Sequence, residues 1–141
     1  MEGKIVGIGG IFFKCKDAAA TKKWYGDHCG IKSDQWGASF VQRKVSEESL
    51  SFLQWSPFPH DTSYFFTEDQ QFMVNYRVRN LESLVASLKS SGCEILDDIA
   101  TYDYGKFVHI RDVDGRAVEL WEPGEENLAE IEAVKNTSNF E

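Results

Sequence analysis

The chain has 141 residues, 42% of them hydrophobic and 27% charged, and a formal net charge of −8. That length suits one compact domain or two small half-domains sharing a core. The acidic balance excludes a nucleic-acid partner, which needs a basic face, and no apolar run reaches the length of a membrane span.

The first residues, Met1 to Ile5, carry no apolar signal-peptide core. Residues 5–15 then alternate, with Ile11, Phe13 and Cys15 on one face and Gly10, Phe12 and Lys14 on the other, which predicts a strand. Asp17 is the expected N-cap of a helix running to about Cys29, with Gly30 as its stop. Trp24 and Tyr25 are expected to anchor that helix on a sheet, and His28 to complement the dipole in its last turn. Short strands are predicted near 33–37, 38–44 and 49–57, the last two joined by Ser46-Glu47-Glu48. Residues 58–70 read as a linker, in which Tyr64-Phe65-Phe66 must be covered by something.

Phe72–Val78 alternates again, with Val74, Tyr76 and Val78 opposite Met73, Asn75 and Arg77. Asn80 is the expected cap of a helix with Leu81, Leu84, Val85 and Leu88 on one stripe, ended by Gly92. Strands follow near 94–103, 105–112 and 116–122, with Asp112-Val113-Asp114-Gly115 as the hairpin turn. The tail from Gly124 is acidic, and Leu128, Ile131 and Val134 suit an amphipathic helix. The three cysteines, Cys15, Cys29 and Cys93, lack CxxC spacing, so reduced thiols in a cytoplasmic protein are expected.

The order of elements occurs twice. Asp17 and Asn80 lie 63 positions apart, Gly30 and Gly92 62, and Trp55 and Trp121 66. This predicts an α+β fold: two tandem βαβββ modules (1–57 and 71–123), a linker (58–70) and a tail (124–141). The modules are expected to form a curved mixed sheet around a central trough, with the helices outside. The sheet face turned from the helices would line that trough, which makes Phe12, Trp55, Met73, Asn75, Arg77 and Trp121 the candidate ligand contacts.

Four stretches carry a family resemblance: Gly10-Ile11-Phe12-Phe13-Lys14 before Asp17; Trp24-Tyr25 with Asp27-His28-Cys29-Gly30-Ile31; Phe72 to Val78; and Asp112 to Trp121. Over roughly residues 5–123 the chain resembles the vicinal oxygen chelate superfamily of glyoxalases, bleomycin-resistance proteins and extradiol dioxygenases. The resemblance implies small-molecule binding, dimerisation and, in metal-dependent members, four His, Glu or Gln ligands on the first and last strands of both modules. Counting back from the helix caps and the tryptophans puts those positions at Gly10, Leu53, Met73 and Glu119, with Gln54 one residue from Leu53. One carboxylate without an imidazole is a poor site for a divalent ion, so no metal and no cofactor are expected.

Glu119 then has two readings: a leftover carboxylate, solvated or paired with Lys14 or Arg77, or a hydrogen-bond acceptor or general base, the one catalytic candidate. Simple alternation across a turn at 112–115 places His109 on the face opposite Glu119 unless a bulge resets the register. The expected function is metal-free binding of a small, partly aromatic or cationic molecule. The alternative is a metal-dependent glyoxalase-like lyase or isomerase, or a dioxygenase.

Overall fold

A computed structural model describes residues 2–43, 50–124 and 138–139. Its elements are β1 (Lys4–Cys15), α1 (Ala18–Cys29), β2 (Ala38–Arg43), β3 (Leu50–Pro59), β4 (Phe72–Arg79), α2 (Leu81–Ser90), β5 (Ala100–Tyr102), β6 (Gly105–Arg111), β7 (Ala117–Pro123) and β8 (Ser138–Asn139). The class is α+β with mixed strand pairing, as expected. The tail helix predicted around Leu128 and the turn at Ser46-Glu47-Glu48 lie outside the described residues. Among those described, no helix is long and apolar enough to cross a membrane.

The chain divides into two compact units, and the division runs through β1. Met1–Gly9 belongs with Ser63–Glu125, here called the α2 unit; Gly10–Thr62 belongs with Glu126–Glu141, here called the α1 unit.

In the α2 unit the strand order is β5-β6-β7-β4 followed by the first half of β1. One face of this sheet is apolar because alternate residues of β4, β6 and β7 are Val78, Val108, Ile110, Val118 and Leu120. Leu81 and Val85 of α2 close over them, with Tyr76, Leu84 and Leu88 at the margin. Each such side chain contributes about 1.5–3 kcal/mol when fully buried. Asn80 precedes α2 as expected but does not cap it through its side chain; it takes a left-handed backbone with φ 59. The open N–H of Leu81 instead donates to Glu122 Oε1 at 2.8 Å. The helix ends at Ser90 with Ser91 as its C-cap, one residue before the expected glycine.

In the α1 unit the second half of β1 pairs parallel with β3, which pairs antiparallel with β2. Asp17 caps α1 by accepting from Ala20 N at 3.1 Å, and Gly30 closes it in the left-handed conformation with φ 77. No strand forms at 33–37; Asp34 and Gly37 make a tight reversal into β2. Tyr25 packs its ring on Trp55, whereas Trp24 stays 53% exposed against Tyr25 and His28. Consecutive helical residues point about 100° apart, so the two aromatics cannot both face the sheet.

Candidate functional site

The polar centre of the α2 unit lies on the sheet face turned from α2. Asn75 of β4 pairs in parallel register with Glu119 of β7, and Glu119 pairs in antiparallel register with His109 of β6. All three side chains therefore emerge on one face. This corrects the expectation that His109 opposes Glu119. The ladder closes at Arg111 and Ala117, leaving five residues in the turn instead of four. Arg116 belongs to the turn: Asp112 N donates to its carbonyl at 2.8 Å, and its own N–H donates to Asp112 Oδ1 at 3.0 Å. One extra turn residue inverts every later side chain of the strand.

Glu119 is 1% exposed and His109 4%. Glu119 Oε1 accepts from Asn75 Nδ2 at 2.6 Å, and Oε2 lies 2.8 Å from His109 Nε2. Tyr64, from the segment read as linker, donates its phenol to the same Oε2. On the far side of the imidazole, Nδ1 lies 2.7 Å from Asp97 Oδ2. Asp97 is delivered by residues 94–97, which bond β6 through Leu96 N to His109 O and Arg111 N to Glu94 O. Its Oδ1 also accepts from the His109 backbone N–H at 2.7 Å. The result is an imidazole between two carboxylates, one buried and one 36% exposed.

Burial opposes a charge on His109, but Glu119 and then Asp97 outweigh it, and its pKa is raised above the ordinary histidine value. Burial first, then the Glu119 carboxylate, pushes the Tyr64 phenol far above the ordinary tyrosine range, so it remains a neutral donor. Two buried atoms are left over. Asn75 Oδ1 has no hydrogen-bond partner among the described residues, and His109 Nε2 is near Glu119 without an aligned hydrogen bond. Asp97 was not among the residues singled out from the sequence, and Tyr64 entered only as part of an aromatic run in need of cover.

The candidate contacts divide. Met73, Asn75, Arg77 and Trp121 are buried in the α2 unit on the face that carries Glu119. The Arg77 guanidinium lies 5.1 Å over the Trp121 ring, and Phe107 stacks on that ring with an interplanar angle of 7°. The basic side chain found beside Glu119 is His109. Gly9 adjoins this cluster with no room to spare: a Cβ there would lie 2.2 Å from Asn75 Oδ1. In the α1 unit, Phe12 is buried and contacts Phe58. Trp55 is not on the matching face; it contacts Phe13 and Tyr25, on the side of α1.

The register explains that correction. Gly10 pairs with Gln54 in β1 and β3 (54 − 10 = 44), and Asn75 pairs with Glu119 in β4 and β7 (119 − 75 = 44). The strand repeat is thus offset by 65 positions, not 66, and the mate of Glu119 is Gln54, not Leu53. Gln54 Nε2 donates to Ser39 Oγ at 2.8 Å. Among the described residues, no group of three or more His, Cys, Asp or Glu side chains could hold a metal ion.

Solved structures share this arrangement of elements. Methylmalonyl-CoA epimerase of Streptomyces coelicolor, in complex with 2-nitronate-propionyl-CoA, matches with a TM-score of 0.63 at 15% identity, covering 86% of this chain and 100% of that one. The epimerase of Mycobacterium tuberculosis matches at 0.55 and 16%, covering 86% and 90%. A glyoxalase/bleomycin resistance protein/dioxygenase superfamily member from Vibrio splendidus 12B01 matches at 0.51 and 12%, covering 84% and 99%. The chain has the vicinal oxygen chelate fold. No family model and no curated protein matches the sequence. At these identities the likeness concerns the vicinal oxygen chelate scaffold alone, and the chemistry rests on the residues above.

Proposed function

We propose that the chain binds a small, donor-bearing molecule at Glu119 and works there by hydrogen bonding and proton transfer, without a divalent ion. The observation that carries this reading is the buried Glu119 carboxylate, whose oxygens face Asn75, Tyr64 and His109. A buried carboxylate beside an imidazole whose pKa is raised is an acceptor with a proton-carrying partner at hand. The residues at the register-matched positions, Gly10, Gln54, Asn75 and Glu119, do not fit the fold family's metal. They supply one carboxylate and two amides. Asn75 turns its amide nitrogen to Glu119, and Gln54 turns its own to Ser39. Hard and borderline divalent cations want carboxylates or imidazoles instead.

Two measurements test this. Elemental analysis of protein purified without chelator should show far less than one equivalent of zinc, nickel, manganese or iron; a full equivalent would overturn the metal-free reading. Titration with benzylamine and benzyl alcohol, followed by the ring resonances of His109, should move those resonances, and Glu119→Gln should abolish the shift. No movement with any donor-bearing fragment would refute binding at this centre.

A second reading, an acid–base enzyme, is favoured by the run from half-exposed Asp97 through His109 to buried Glu119, a route for a proton between solvent and the interior. Several of the structural neighbours are epimerases. The matching assay is exchange of the α-proton of methylmalonyl-CoA into deuterated water, lost in Glu119→Gln; the absence of exchange above buffer would count against an activity of that type.

A further inference from the structure

We propose that Tyr64 is a built-in stand-in for the ligand, and that the molecule taken in its place is a neutral hydroxyarene, a small phenol. This deepens the binding reading above and rests on it. The site already holds a phenol: Tyr64 places its hydroxyl on Glu119 Oε2. Its ring meets the His109 ring edge to face, with centroids 5.0 Å apart at 87°, and Phe66 flanks the same imidazole at 4.8 Å. The hydroxyl end lies at a buried carboxylate, yet the residue is 39% exposed, so one side chain reaches from the surface to Glu119.

The surroundings favour a donor that is aromatic and uncharged. Glu119 and Asp97 both flank the imidazole, so a phenolate brought to Oε2 would be repelled. Asn75 Oδ1 is a buried acceptor without a partner beside the same carboxylate.

The segment that carries Tyr64 has anchors of its own. Phe65 is fully buried. Arg111 Nη1 donates to Thr67 Oγ1 at 2.9 Å. The Gln70 side chain exchanges two hydrogen bonds with the Ala117 backbone. These ties lie downstream of Tyr64 and do not involve its phenol. The closed state is held in part by the phenol-to-carboxylate bond, a charge-assisted hydrogen bond. An external phenol must therefore compete with an internal one, and its apparent affinity is lowered by the fraction of molecules with Tyr64 in place.

The test is a titration of wild type, Tyr64→Phe and Tyr64→Ala with 4-methylphenol, with methylbenzene as the control lacking the hydroxyl, read on the His109 ring resonances. The expected result is about tenfold tighter binding of 4-methylphenol to Tyr64→Phe than to wild type, from loss of one charge-assisted bond in the closed state. Tyr64→Ala should bind at least as tightly as Tyr64→Phe, and methylbenzene should leave His109 unmoved in all three. Equal affinity in wild type and Tyr64→Phe, or methylbenzene binding as well as 4-methylphenol, would overturn the inference. If benzylamine or benzyl alcohol moves His109 and 4-methylphenol does not, this inference fails while the binding reading stands. If none of them moves His109, both fail.

Discussion

The α1 and α2 units build the same cross-strand contact with different chemistry. In the α2 unit, Glu119 stands across from His109 and 44 positions beyond its parallel partner Asn75. In the α1 unit, Gln54 stands across from Ser39 and 44 positions beyond its parallel partner Gly10. Each pair joins two strands through side chains, 2.8 Å apart in both cases. One pair is ionisable and buried; the other is a neutral amide and a hydroxyl. The backbone register therefore survives a complete change of side-chain charge, because strand pairing depends on main-chain hydrogen bonds and on the helix-facing side chains. The polar face is free to diverge: at the matched cross-strand positions the α2 unit carries ionisable groups and the α1 unit neutral ones.

The sharpest test of that contrast is to remove one member of each pair. His109→Ala leaves the Glu119 carboxylate in the interior without its cation. A loss of about 3–5 kcal/mol is expected from breaking a buried ion pair on one side only. Urea unfolding measures it. The pair also sets a pH signature. The His109 pKa is raised in the folded chain. Its contribution is therefore fully present below the unfolded histidine value of about 6.5 and is lost as pH rises through the folded value. His109→Ala should remove that alkaline loss. An unchanged pH profile would mean that the imidazole is not charged beside Glu119.

The adjacent glycines give a smaller contrast. A Cβ on Gly9 would lie 2.2 Å from Asn75 Oδ1 and 2.8 Å from the Trp121 ring. Gly9→Ala should cost about 1–3 kcal/mol by overpacking and should disturb the His109 resonances through Asn75. A Cβ on Gly10 would meet Gln54 O and Phe12 at 3.0 Å, a contact that small shifts relieve. Gly10→Ala should cost less than about 1 kcal/mol, because alanine recovers some backbone entropy in a strand. If the two substitutions cost the same, the tight packing assigned to the Glu119 face is wrong.

Much of this scaffold is legible in the residues. Period-two alternation places β4, and the Leu81, Leu84, Val85 and Leu88 stripe places α2 on its sheet. Asp17 and Gly30 bracket α1 as their chemistry dictates. Glu119 stands out from the sequence as the lone carboxylate at a family position. What was hidden depends on counting. Whether Arg116 belongs to a turn or a strand decides which face His109 takes, and composition does not settle it. The helix caps repeat at 63 positions and the strands at 65, because the passage from strand to helix is longer in the first module, so counting back from the caps puts Met73 where Asn75 belongs; the tryptophans repeat at 66, so counting from them puts Leu53 where Gln54 belongs. Asp97 and the role of Tyr64 were hidden for another reason. Both residues arrive from irregular segments whose path is fixed by tertiary contacts, and no periodic signal marks such residues.

The smallest predicted effects ask whether the ionisable chemistry can be moved to the other unit. Ser39→Ala removes one neutral hydrogen bond and should cost about 0.5–1.5 kcal/mol. Gln54→Glu places a carboxylate at the position matched to Glu119 while keeping nearly the same shape. Gln54 is half-buried, so the new group retains some water, and the Ser39 hydroxyl, which now accepts, can turn to donate. The expected cost is about 1 kcal/mol or less, larger above the carboxylate pKa than below it, since the charged form is the one that burial penalises. Adding Ser39→His to Gln54→Glu supplies the missing cation from the neighbouring strand, as His109 does for Glu119. If the register match has been drawn correctly, the double variant should be more stable than the sum of its single changes, and a thermodynamic cycle of urea midpoints reads that coupling. Coupling of zero would show that the shared spacing along the strands does not extend to equivalent side-chain positions.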